Sequence, residues 1–177
     1  MVGPAHDPPE ASAKNDEIAD PGRALDRFRL DDRVVVVTGA SSGLGRRFTR
    51  VLAGVGARLV LAARRSDRIE ALADELPDAV AVTVDVADDK GPQDLVDATI
   101  DHYGRIDVLV NNAGISRVIA AVDDDIDGFR HELAVDLIAP YELARRAARW
   151  WIDHDHSGVV VNIGSVMGAG SGGRLRI

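Results

Sequence analysis

Thr38-Gly39-Ala40-Ser41-Ser42-Gly43-Leu44-Gly45 is the stretch of this 177-residue chain whose residue types and spacing bear most directly on chemistry. It follows four consecutive valines, Val34 to Val37, and runs into RRFTRVLAGVGA, which has helical spacing. The local pattern is strand, tight glycine turn, helix. A turn of that kind leaves backbone N–H groups at a helix N-terminus, and those donors together with the helix dipole suit a phosphate. Gly39 allows the sharp turn, Gly43 lets backbone come close to a pyrophosphate, and Gly45 lets the helix pack on the strand. No Lys-Ser/Thr pair follows the last glycine, so this is not a P-loop. The spacing G-x-x-x-G-x-G also differs from the standard G-x-G-x-x-G dinucleotide fingerprint.

Other residues able to do chemistry lie at the ends of further apolar runs. Ala63-Arg64-Arg65 follows RLVLA. An acidic residue here would accept from a ribose 2′-OH, whereas a guanidinium cannot accept and pairs instead with a 2′-phosphate. Arg64 therefore points to NADP(H) over NAD(H). His154-x-His156, with Asp153 and Asp155 interleaved, lacks a third placed ligand and reads as solvated polar residues; no metal is expected. Asp123-Asp124-Asp125-x-Asp127 lacks the loop glycine and distal Glu of a calcium loop and reads as an acidic helix N-terminus. Trp150-Trp151 is a candidate interface patch.

The elements that must position these residues follow from periodicity. Strands are expected over Arg33–Thr38, Arg58–Ala62, Ala79–Val84, Ile106–Val110 and Gly158–Ile163. Helices are expected from Arg46 to about Gly54, with Phe48, Val51 and Leu52 inward, and from Ser66, as N-cap, to before Pro77. A third runs through Leu95, Val96, Ala98, Ile100 and Tyr103 to Gly104. A long one spans about Asp127–Trp151, with apolar Phe129, Leu133, Leu137, Tyr141, Leu143 and Ala147, bent or broken at Pro140. The order βαβαβαβαβ with short connections predicts an α/β doubly wound parallel sheet. Ligands of such sheets bind beyond the C-terminal strand ends, near the switch in strand order. Residues 1–24, rich in Pro, Ala and acidic side chains, are expected to be a disordered tail, and residues 25–177 the folded domain. Leu25, Phe28 and Leu30 are expected to pack where the chain enters the fold.

These strand ends carry more than one motif of a known family. T-G-x-x-x-G-x-G, D-x-L-V before Asn111-Asn112-Ala113-Gly114, and Asn162-Ile163-Gly164-Ser165-Val166-Met167-Gly168 occur in order across about Leu30 to Gly173. Together they resemble the classical short-chain dehydrogenase/reductases, which have a Rossmann fold. The resemblance implies hydride transfer between NADP(H) and a carbonyl or secondary alcohol. It implies cofactor contacts at Thr38, Gly39, Ser41, Ser42, Gly43, Leu44, Gly45 and Arg64, at Asp85 (to the adenine amino group) with Val86, and at Asn112 (to the ribose), Ala113 and Gly114. Read alone, Asp85 or Asp88 is equally a helix N-cap. Ser165 aligns with the catalytic serine that hydrogen-bonds the substrate oxygen.

Two departures from the family pattern stand out. Asp136 occupies the place of an Asn that kinks the long helix and holds a water in the proton relay; Asp keeps an acceptor and loses the donors. The family's Tyr-x-x-x-Lys, which handles the proton, falls by spacing just after Ile177. Tyr103 is followed four residues on by Asp107 and Tyr141 by Arg145, so neither replaces it. The chain is therefore expected to be a fragment, inactive alone, with its sheet incomplete on the C-terminal side. The rival reading is a catalytically inactive nucleotide-binding fragment or pseudoenzyme.

Composition sets the remaining bounds. The chain is 46% hydrophobic, which suffices for one core, and its net charge of −8 argues against a nucleic-acid partner. With no cysteine there are neither disulfides nor thiolate chemistry. No apolar run approaches a membrane span and no signal segment is evident, so a cytoplasmic protein is expected. The expected partners are a small-molecule carbonyl or alcohol substrate and, for a full-length parent, copies of itself.

Overall fold

The four valines that open the glycine motif are all buried, and their alternation explains why no polar residue interrupts them. Val34 and Val36 face one hydrophobic cluster and Val35 and Val37 face another, so the strand is covered on both sides. The computed structural model describes residues 26–120 and 122–165. Its elements are β1 (Val34–Thr38), α1 (Gly43–Gly54), β2 (Arg58–Ala63), α2 (Ser66–Asp74), β3 (Ala79–Thr83), α3 (Gly91–Tyr103) and β4 (Val108–Asn111), then α4 (Ile126–Leu133), a π-helical turn (Ala134–Ile138), α5 (Ala139–Asp153) and β5 (Val159–Asn162).

The strands form one parallel sheet in the order β3-β2-β1-β4-β5. The order reverses between β1 and β4, where Val35 pairs with Val108 and Val37 with Val110. One face is packed by α3 and α5 through Leu95, Val96, Leu143, Ala147 and Trp151. The other is packed by α1 and α2 through Phe48, Leu52, Ile69 and Leu72. This is the doubly wound α/β fold expected, with each fully buried Val or Leu contributing about 1.5–3 kcal/mol.

Several local expectations need correction. Val51 is 53% exposed, because α1 turns Phe48, Thr49, Leu52 and Ala53 inward instead. Ser66 is the first helical residue of α2 rather than its cap; Arg65 stands at the cap position. Phe28 is 71% exposed, while Leu30 packs against the α1–α2 side of the core. Leu25 and the 1–24 tail lie outside the described residues. The fourth strand starts at Val108 rather than Ile106, because Asp107 diverts its carboxylate to the Val34 N–H at 2.9 Å.

The long helix is the element that differs most. Pro140 lacks an N–H, so the α-helical bond to the Asp136 carbonyl cannot form. The chain widens just before it, and the Ala139 N–H reaches back to the Ala134 carbonyl to make a π-turn. Trp151 is buried and its Nε1–H donates to the Ile106 carbonyl at 2.8 Å; Trp150 packs on the core edge and stacks on His154. The tryptophans are therefore core residues and not an exposed patch. Phe129, Leu133, Leu137 and Tyr141 are exposed instead. Among the described residues, no helix is long and apolar enough to cross a membrane.

Candidate functional site

At the C-terminal edge of the sheet, the loops after β1, β2, β3 and β4 enclose a cleft of about 330 Å3. Its wall includes Gly39, Ser41, Ser42, Leu44, Arg64, Arg65, Asp85, Val86, Asn112, Ala113, Gly114 and Ile115. Nearly every residue marked from the sequence as a phosphate, ribose or adenine contact thus comes together in one place. Thr38, Gly43 and Gly45 lie outside the cleft wall; Thr38 and Gly45 shape it from behind, and Gly43, between Ser42 and Leu44 of the wall, is open where a Cβ would lie.

Thr38 is buried at the switch between β1 and β4. Its hydroxyl donates to the Val110 carbonyl at 3.3 Å and accepts from the Asn112 and Ala113 N–H groups, each at 3.0 Å. Asn112 returns the tie, donating its side-chain amide to the Thr38 carbonyl at 2.9 Å. That amide braces the glycine turn instead of pointing freely toward a ribose. Asn111 donates to Asn162 Oδ1 at 2.9 Å and to the Pro140 carbonyl at 3.3 Å, joining β4 to β5 and to the start of α5.

The glycines differ in what they permit. Gly39 has φ +67° and sits against Ala113; a Cβ there would come within 2.9 Å of the Ala113 Cα. A Cβ on Gly45 would stand 2.4 Å from the Gly39 carbonyl oxygen, so Gly45 lets the start of α1 close on the turn. Gly43 has φ +55° and open space where a Cβ would lie. No side chain caps the α1 N-terminus at Ser42, and no acidic residue occupies its first turn. The N-terminal amides and dipole of α1 are therefore left without a carboxylate competitor.

The two arginines after β2 diverge. Arg65 crosses to the glycine turn, donating to Ser41 Oγ at 2.7 Å and Ser42 Oγ at 2.8 Å. Arg64 pairs with Asp85 at 3.5 Å. Arg64 is the residue expected from the sequence to face a 2′-phosphate; the signal for Arg65 lies in Ser41 and Ser42, since two hydroxyls facing the strand end offer acceptors to a guanidinium. Asp85 accepts from the Ala87 N–H at 3.0 Å in a turn, and α3 starts only at Gly91, so neither Asp85 nor Asp88 caps it.

Asp136 lies in the π-turn, exposed, and its Oδ1 accepts from the Ile115 N–H at 3.0 Å. It anchors the segment leaving β4 through the acceptor that Asp shares with Asn. Ser165 lies just beyond β5 and is exposed; Val166, Met167 and Gly168 of its motif lie outside the described residues. Tyr103 donates to Asp78 at 2.8 Å at the C-terminal end of α3. Burial, then the Asp78 hydrogen bond, push its hydroxyl pKa upward, opposite to what a proton-transferring tyrosine needs.

The motifs set aside have local partners. His156 Nε2 meets Asp107 at 3.2 Å, and His154 Nδ1 lies 2.8 Å from the Trp150 carbonyl. Asp125 is the N-cap of α4, accepting from the Gly128 N–H at 2.6 Å.

Comparison with known proteins gives a consistent answer. A family model described as short chain dehydrogenase matches residues 33–175. A putative ketoacyl reductase of the granaticin polyketide synthase of Streptomyces violaceoruber is 38% identical over 142 residues, covering 77% of this chain and 56% of that protein. A short-chain type dehydrogenase/reductase from Mycobacterium marinum superposes with a TM-score of 0.78 at 30% identity, covering 82% of this chain and 60% of that one. A metagenomic short-chain oxidoreductase solved in complex with NADP gives a TM-score of 0.72 at 33% identity, covering 77% and 63%. The chain spans about half the length of the curated relatives it matches.

Proposed function

This chain belongs to the short-chain dehydrogenase family, and on that premise we propose that it forms the cofactor-binding part of an oxidoreductase that uses NADP(H) in preference to NAD(H). The substrate class is a small carbonyl compound or secondary alcohol. The observation that carries the reading is the cationic edge of the cleft. Arg65 stands over Ser41 and Ser42 beside the uncapped α1 N-terminus, with Arg64 next to it, and no carboxylate at the end of β2 is available to accept from a ribose 2′-OH.

The residues present fit such a cofactor. The open face of Gly43 and the α1 amides would take the pyrophosphate. Arg65, with Ser41 and Ser42, would hold the 2′-phosphate, and Arg64 would add a second charge. Asp85 and Val86 would border the adenine. Gly39, Leu44, Asn112, Ala113 and Gly114 would form the walls, braced from behind by Thr38 and Gly45. When bound, the nicotinamide supplies or accepts the hydride. Ser165 is assigned to hydrogen-bond the substrate oxygen, and Asp136 acts by fixing Ile115 beside the cleft.

The experiment is a fluorescence titration of the chain with NADPH and with NADH. A charge-assisted hydrogen bond is worth about 1.5–3 kcal/mol, roughly ten- to a hundredfold in affinity. NADPH is expected to bind at least tenfold tighter than NADH, and Arg65→Ala to remove most of that margin while leaving NADH binding nearly unchanged. Equal affinities in the unaltered chain would overturn the preference; no binding of either would overturn the reading.

A further inference from the structure

Away from the phosphate side of the cleft, one guanidinium is seated in a space that only a glycine provides. A Cβ on Gly128, in the first turn of α4, would fall 1.1 Å from Arg117 Nη1 and 2.1 Å from its Cζ. Arg117 is held there by Asp125 at 2.8 Å and Asp124 at 3.0 Å. Asp125 is at the same time the N-cap of α4. The backbone N–H of Arg117 donates to Glu132, a turn further along α4. Two residues earlier, the Ile115 N–H is held by Asp136 in the π-turn, and Gly114 and Ile115 line the cleft. The chain leaving β4 has no strand partner past Asn111, so these ties to α4 and the π-turn are what set its path. The Asp124 and Asp125 carboxylates both meet the same guanidinium nitrogen, Nη2, while Nη1 sits against Gly128. Without the guanidinium, Asp124, Asp125 and Glu132 would remain close together with no shared cation, and like charges so placed repel.

We propose that Arg117 is a positioning residue: seated in the Gly128 notch, it fixes the segment from Ile115 to Val118, whose first residue, with Gly114 before it, lines the cleft on the side away from the phosphate cradle, where a substrate would approach. The assignment of that wall to substrate rests on the cleft being the NADP(H) site. Because the phosphate cradle is built from other loops, loss of the clasp moves the wall and leaves cofactor affinity intact.

The test is amide hydrogen exchange over residues 112–120, with and without NADPH, on the unaltered chain and on Arg117→Met, Gly128→Val, the double variant and Arg117→Lys. In the unaltered chain the Ile115 and Arg117 amides are expected to be protected. Arg117→Met and Gly128→Val should each speed their exchange at least tenfold while changing the NADPH dissociation constant by less than twofold. Arg117→Lys, which returns one cation to the notch, should restore most of the protection. With Arg117 gone, Gly128→Val should add no more than twofold, since the notch is then empty. Unchanged exchange at Ile115 in Arg117→Met, or full additivity in the double variant, would overturn the clasp. A general loss of protection outside 112–120 in both single variants, without rescue by Lys, would also overturn it, as a mere folding defect. If the unaltered chain binds no NADPH, the cofactor reading fails, and exchange at Ile115 still judges the clasp.

Discussion

Asp107 shows how one side chain secures the end of the sheet opposite the cleft. It is 3% exposed, yet it accepts from the Val34 N–H, from Arg33 at 3.0 Å and from Arg105 at 2.6 Å. Burial pushes its carboxyl pKa up, but the hydrogen bonds from Arg105, Val34 and Arg33 outweigh burial and hold it below the usual aspartate range. A folded-state value below the unfolded one means that the contribution to stability is complete above about pH 4 and is lost as pH falls through the lowered value. Asp107→Asn keeps the shape and removes the charge. Breaking a buried pair costs about 3–5 kcal/mol, less here because both arginines are partly in solvent, so about 2–4 kcal/mol is expected at neutral pH. Urea unfolding should give that difference at pH 7 and a smaller one as pH is lowered below 4. At this scale the sequence was readable where backbone does the work. Gly39, Gly43 and Gly45 act through the space they leave, and spacing alone reveals that. It was less readable where a long side chain chooses between neighbours. Arg64 and Arg65 are adjacent on the chain, and only the strand's alternation and the place of Ser41, Ser42 and Asp85 decide that Arg65 goes to the turn.

At the scale of elements, the joint between β1 and β4 decides whether the cleft keeps its shape. The two strands are far apart in sequence, and the Thr38 hydroxyl satisfies the Asn112 and Ala113 N–H groups just past the last strand pair. Thr38→Val is nearly isosteric, so it tests the hydroxyl without opening a cavity. Two partly buried donors lose their acceptor, at about 1–3 kcal/mol each, less whatever water recovers at the cleft edge. A stability loss of about 2–3 kcal/mol by urea unfolding is expected, together with weaker NADPH binding, because Ala113 and Gly114 wall the cleft. A stability loss without any change in NADPH binding would place the cofactor elsewhere. The joint was foreseeable from T-G-x-x-x-G-x-G and N-N-A-G, which end the two strands. The π-turn was not. Pro140 announces that a helical bond must fail, but the chain can answer with a kink, a break or a widened turn. The ties that select the turn here, from Asn111 to the Pro140 carbonyl and from Ile115 to Asp136, come from residues distant in sequence.

At the scale of the whole molecule, α4 and α5 carry two apolar stripes rather than one. Val135, Ala139, Leu143, Ala147 and Trp151 recur every four residues and are buried against the sheet. Phe129, Leu133, Leu137 and Tyr141 recur with the same period, two residues out of phase, which at about 100° per residue puts them on the opposite face. Sequence periodicity marks both stripes as core and cannot say which one the rest of the chain covers. The second stripe stays in solvent, with Leu137 62% and Tyr141 65% exposed and Ile138 beside them. A contiguous apolar face on a helix of an otherwise strongly charged surface marks a contact between proteins; copies of itself are the partner expected for a full-length parent, and the prediction carries that assignment to this chain. Introducing charge there should separate the copies without unfolding them, since neither side chain supports the core. Leu137→Glu with Tyr141→Glu is therefore expected to sediment as a monomer with an unchanged far-ultraviolet circular dichroism spectrum, while the unaltered chain sediments as a dimer or larger. A monomeric unaltered chain would overturn the assignment. A variant that lost helical signal would mean that the stripe supports the fold after all, and the assignment would fail on that ground instead.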